Sequence, residues 1–221
     1  MLTIAEELLL VATDVEGRNL LSSNRNVALA GAFLSELALR EQLTVDERKR
    51  LRVVTGGPSG DPLLDQAFAL LAEREGRKPK DILEKVGRQL LQPVLDSLVR
   101  RELVRPEPVT LAGLTLTTRW PVQTVGPRDA ALADLVRVIT GAAEAGPRTG
   151  ALVSLLYAVD ALPKVVAKEL RPGLPNREVK RRGKEILAGR WAPEAVARAV
   201  QEAAAAAGAA AAVAASAGGS S

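Results

Sequence analysis

Apolar positions recur at helical spacing along most of the chain. Leu2, Ile4, Leu8 and Leu9 fall on one side of a helix over residues 1–12. The stretch VALAGAFLSELALREQL, residues 27–43, is apolar with few charges and predicts a buried central helix. RTGALVSLLYAVDAL, residues 148–162, is apolar nearly all round and predicts a second one. Between these, DPLLDQAFALLAEREG starts with Asp61 as N-cap and Pro62 at the first helical position, and runs as helix to about Glu75. RKPKDILEKVGRQLLQPVLDSLVRREL is the next helical stretch; its Pro93 must kink it or start a second helix. Residues 129–140, the amphipathic PNREVKRRGKEILAG and a final APEAVARAVQEAAAAA complete the helices.

The period changes from helical to alternating at PVTLAGLTLTTRWP, residues 108–121. With Ala112-Gly113 as the turn, a hairpin pairs Val109 with Leu116, Thr110 with Thr115 and Leu111 with Leu114. Val109, Leu111, Leu114 and Leu116 then share one face and the threonines take the other. Leucines at a hairpin tip are unusual, because turns are normally polar. They either pack down on the helices or project and need a partner, protein or bilayer.

The expected fold class is therefore mainly α: one globular helical domain over residues 1–202 with short surface β-hairpins. From Ala203 the chain is nearly all Ala, then Gly and Ser, and reads as a frayed or disordered tail over 203–221. No apolar run is long enough to span a membrane, and Glu6 and Glu7 inside the first apolar segment mark it as a folded helix rather than a signal peptide.

The chain has no Cys and no His. Zinc sites built from those residues and the commonest general base are excluded. Carboxylates alone could run hydrolysis or hold magnesium, but no paired-acid pattern stands out. We expect no catalytic residue, no metal, no cofactor and no enzyme. The net charge of +4 and pI of about 9.7 favour an anionic partner.

Basic residues cluster around the hairpin: Arg100, Arg101 and Arg105 before it, Arg119 after it, with Trp120 suited to a headgroup boundary or to filling a core gap. Arg88 shares a helix face with Leu91 and Leu95, where it snorkels or meets an anion such as phosphate. Arg177, Lys180, Arg181 and Lys184 form a basic helical stripe, by default a solvated face. A helix followed by a hairpin also looks like a winged-helix DNA reader. A DNA-touching wing would carry Lys or Arg where this one carries LAGL, so nucleic acid is not the expected partner.

TIAEELLLVATDVEG, ALAGAFLSELALR and PSGDPLLDQAF, in this order, resemble the Golgi phosphoprotein 3 family. LVRRELV plus hairpin, ALVSLLYAVDAL and REVKRRGKEIL follow in the expected sequence, so the likeness covers roughly residues 2–200. The Ala-rich end suggests a bacterial member, and the absence of Cys fits the cytoplasm. The resemblance implies a helical domain with a protruding hairpin used for membrane insertion and self-association, and a phosphoinositide headgroup site. Partners would be anionic phospholipid, a second copy of the chain and cytoplasmic tails of membrane proteins. Of the family's four headgroup ligands, the Trp position falls near Leu21, the helix Arg at Ala30 and the second basic residue at Leu91; the first is kept as Arg88. Anionic phospholipid is thus expected without specificity for phosphatidylinositol 4-phosphate, and Arg18 and Arg25 are the alternative headgroup ligands. The expected function is peripheral membrane binding. The alternatives are an oligomerisation scaffold using the same hairpin and, more remotely, the winged-helix protein.

Overall fold

The computed structural model describes every residue except 15, 112–113, 168–172, 190–191, 193 and 219–221. It is mainly α, as the apolar periodicity requires. α1 (Ile4–Val11) starts at a capping box in which Thr3 accepts from the Glu6 N–H while the Glu6 carboxylate accepts from the Thr3 N–H. α2 (Arg25–Leu39) is the central helix, with Val27 to Ala38 buried throughout. It ends short of residue 43, because Glu41 turns through a positive φ of 57° into β1 (Leu43–Val45), which pairs with β2 (Leu51–Val53).

α3 (Pro62–Ala72) begins at Asp61, whose Oδ1 accepts from the Leu63 and Leu64 N–H groups. α4 (Pro79–Arg100) runs through Pro93 without a second helix starting there. The carbonyl that loses its partner belongs to Gln89, an exposed residue, where water can replace the bond. β3 (Glu107–Leu111) and β4 (Leu114–Arg119) form the predicted hairpin. α5 (Val125–Thr140), α6 (Pro147–Ala158), α7 (Leu162–Val166) and α8 (Asn176–Ala188) follow.

α9 (Glu194–Gly218) corrects the tail expected from Ala203. The chain stays helical there, and Ala203, Ala204, Ala206 and Ala207 are buried. The reason lies in α2, against which α9 packs more extensively than any other helix does. A Cβ on Gly31 would stand 3.2 Å from Ala203 Cβ and 2.9 Å from Leu155 Cδ2. Two backbones that close leave room only for methyl groups, so the Ala run is a packing surface. α1, α3, α4 and α6 complete the shell around α2.

Two buried glutamates tie the shell together. Glu36 accepts from the Ile4 N–H at 2.7 Å and from Arg40 and Arg148. Glu6 accepts from Thr3, from Ser97 Oγ at 2.7 Å and from Arg101 Nε at 3.2 Å. It thereby fastens the start of α1 to the end of α4, immediately before the hairpin. Each carboxylate is fully bonded, the condition under which a buried charge is tolerated.

Candidate functional site

The β3–β4 hairpin projects. Leu111, Leu114 and Leu116 are 67%, 71% and 63% exposed, while Val109 is half-buried. The expected register holds at the tip, where Leu111 faces Leu114 and Thr110 faces Thr115; the turn residues themselves lie outside the described part. One step down it fails. Val109 pairs with Thr117 rather than Leu116, because a bulge between Val109 and Thr110 leaves Leu116 as the extra residue. Strict alternation cannot foresee an inserted residue.

The foot of the hairpin, unlike its tip, is clamped. Val104 is buried and bridges Val122, the Arg105 N–H donates to the Pro121 carbonyl and the Gln123 N–H to that of Leu103. The Trp120 N–H donates to the Gly17 carbonyl at 3.0 Å. Gly17 has φ 77°, and a Cβ there would sit 2.5 Å from the Pro121 nitrogen. Glycine is required both for the turn and for the close approach of the foot.

Arg25 lies beside this foot. It lines a narrow cleft of about 20 Å³ with Thr13, Gly17, Asn19, Val104 and Trp120. Its Nε is buried with no hydrogen-bond partner, and no described carboxylate pairs with it. Burial pushes the guanidinium below its ordinary pKa range. The result is a partly desolvated cation at the N-terminus of the 15-residue α2, where the helix dipole also favours an anion.

The other nominated cations divide. Among the described residues, Arg100 and Arg119 have no acidic partner, so they flank the hairpin uncompensated. Arg101 is engaged by the buried Glu6, Arg105 lies 3.7 Å from Glu107, and Arg18 pairs with Glu16. Arg88 is well exposed and 3.4 Å from Glu84, whose carboxylate also accepts from Asn26 Nδ2. A Cβ on the adjacent Gly87 would collide with the Asn26 backbone, which places Arg88 next to the start of α2. Leu21 and Ala30 are buried and Leu91 is half-buried. On α8, Arg181 is held by Glu178 and Glu185, and Lys180 by Asp160; among the described residues Arg177 and Lys184 alone of the stripe have no ion pair.

PSGDPLLD is a local device. The Ser59 N–H donates to Asp65 Oδ1 at 2.6 Å, holding that carboxyl below its usual range, and the Ser59 hydroxyl donates to the Asp61 carbonyl. A signature of this kind marks ancestry through a loop and cap rather than through a binding site.

The model of the Golgi phosphoprotein 3 (GPP34) family matches residues 4–203. The chain belongs to that family. Among curated proteins no relative matches it. The match covers α1 to the buried first half of α9. Among the described residues no helix is long and apolar enough to cross a membrane.

Sequence reasoning missed Gly17 and Glu6, which build the hairpin foot from regions distant in sequence. The only available signal was the Thr3–Glu6 capping spacing, which announces a helix start and not a tie to α4.

Proposed function

We propose that this Golgi phosphoprotein 3 family member is a non-enzymatic, peripheral membrane protein of the bacterial cytoplasm that binds anionic phospholipid. The observation that carries the reading is the leucine-tipped hairpin held out from a clamped foot. Burying Leu111 and Leu114 in a bilayer contributes roughly 3–6 kcal/mol, which is marginal anchoring on its own. Arg100 and Arg119 supply the electrostatic second signal, and Arg25 at the start of α2 with Arg88 on the neighbouring α4 supply the headgroup contact. Phosphate suits both arginines, since the guanidinium fork matches its oxygens. With Leu21, Ala30 and Leu91 at the remaining family positions, selectivity for one phosphoinositide is not part of this reading.

Liposome co-sedimentation tests it. Wild type pellets with anionic but not neutral vesicles, less so at raised salt, and Leu111→Asp/Leu114→Asp stays in solution. Arg25→Ala weakens binding to phosphoinositide vesicles and to other anionic vesicles alike. If neither protein pellets while wild type alone forms concentration-dependent oligomers, the hairpin is a contact between copies and the lipid reading falls.

A further inference from the structure

A second cleft lies between α1, α5 and α6 and takes no part in the lipid reading. It encloses about 330 Å³, within the range of small-ligand sites. Leu2, Pro127, Ala130, Ala131 and Leu152 form its apolar walls, while Glu7, Asp134, Arg148 and Thr149 supply the polar groups.

The charges in the cleft are unequally matched. Arg148 is the one cation in the lining, and it is shared outward. Its Nη1 donates to Glu36 at 3.1 Å and its Nη2 to the Leu2 carbonyl at 2.7 Å, leaving a 3.3 Å ion pair to Glu7. Among the described residues Asp134 pairs only with Arg137, 3.9 Å away. Burial pushes the Glu7 carboxyl above its usual range; Arg148 opposes this, and the charges of Glu36 and Asp134 add to it. Glu7 thus has one ion pair, to an arginine that Glu36 and the Leu2 carbonyl also hold. Among the described residues no three metal-binding side chains are grouped to hold an ion, which turns attention to an organic cation.

We propose that this cleft binds a small primary alkylammonium, its NH₃⁺ directed to Glu7 and Asp134 and its short chain lying on Pro127, Ala130 and Ala131. An ammonium offers three donors and needs acceptors alone. Two carboxylates and the Thr149 hydroxyl meet that requirement, and the alanine and proline walls cover methylenes. A carboxylate or phosphate ligand would meet two like charges, Glu7 and Asp134, whereas an ammonium meets one, Arg148, whose guanidinium is bonded to Glu36 and the Leu2 carbonyl.

The test is an NMR titration of the full chain with butylammonium at neutral pH. Saturable shifts are expected at the Ala130, Ala131 and Thr149 amides, with butanol giving none. Asp134→Asn, at an exposed position that leaves the fold intact, weakens binding about tenfold. Glu7→Gln does the same, checked by an unchanged circular dichroism spectrum. Absence of saturable shifts, equal binding of butanol, or an unaltered affinity in Asp134→Asn overturns the proposal. A lysine blocked at both ends that outcompetes butylammonium overturns the free amine as the source and assigns the group to a protein side chain. Asp134→Asn leaves vesicle binding unchanged, so this site and the lipid reading fail separately.

Discussion

Among the described residues the protein has two small antiparallel hairpins that distribute their apolar residues in opposite ways. β1–β2 puts Leu43, Val45 and Leu51 in the core, against the end of α2 and the side of α9, and turns at its tip through Asp46, Glu47, Arg48 and Lys49. β3–β4 buries its foot and exposes its leucines. Both are antiparallel pairs, regular in β1–β2 and bulged in β3–β4. What differs is the ground beneath: β1–β2 lies across helices that offer an apolar surface, while β3–β4 leaves the body at Val104 and, among the described residues, no helix packs extensively against it. An apolar strand is core only where another element covers it.

The largest effect that separates the two is on stability. Leu51→Ala is expected to cost about 2–5 kcal/mol, as for a fully buried leucine, and Leu111→Ala less than about 0.5. Urea unfolding of the two variants reads this directly. A Leu111→Ala loss matching that of Leu51→Ala would mean that the second hairpin is covered in solution, and the contrast would collapse.

A smaller effect comes from the anchor of β3–β4. Glu6→Ala removes the acceptor shared by Thr3, Ser97 and Arg101, a loss of about 3 kcal/mol. Hydrogen exchange at the Arg105, Trp120 and Gln123 amides should speed up while exchange at Val53 changes little. Uniform acceleration in both hairpins would show that Glu6 supports the whole fold and not one foot.

The smallest concerns the tips. Asp46 accepts from the Arg50 and Arg48 N–H groups and from Arg52, which hold its carboxyl below the ordinary value of 3.8. A depressed folded pKa means that the contribution of Asp46 to its turn is present above that ordinary value. It is lost as pH falls through the lower, folded one. Acid titration followed at the Arg48 and Arg50 amides should therefore loosen the β1–β2 turn, with Asp46→Asn insensitive. The β3–β4 strands near their tip carry no titrating side chain and should not respond.

Much of this was legible beforehand. The helices announced themselves through apolar spacing, Asp61-Pro62 through its cap, and the second hairpin through alternation. Family ancestry was legible in PSGDPLLDQA because loop and cap chemistry is local. Three features were not. The bulge at Leu116 adds a residue to the ladder that pattern alone does not reveal. Arg101 reads as a free cation until α1 brings Glu6 to it across 95 positions of sequence. The Ala run reads as a solvated tail until Gly31 is seen to admit a backbone.

By itself, then, the sequence determined what short-range physics controls: which stretches are helical, where they begin, where the chain alternates, and that neither Cys nor His chemistry exists here. Only the tertiary structure decided which apolar residues stay in water and which charges stay unpaired. Both depend on what other elements lie within a few ångströms. Leu51 and Leu111, or Arg101 and Arg119, differ in nothing but their neighbours.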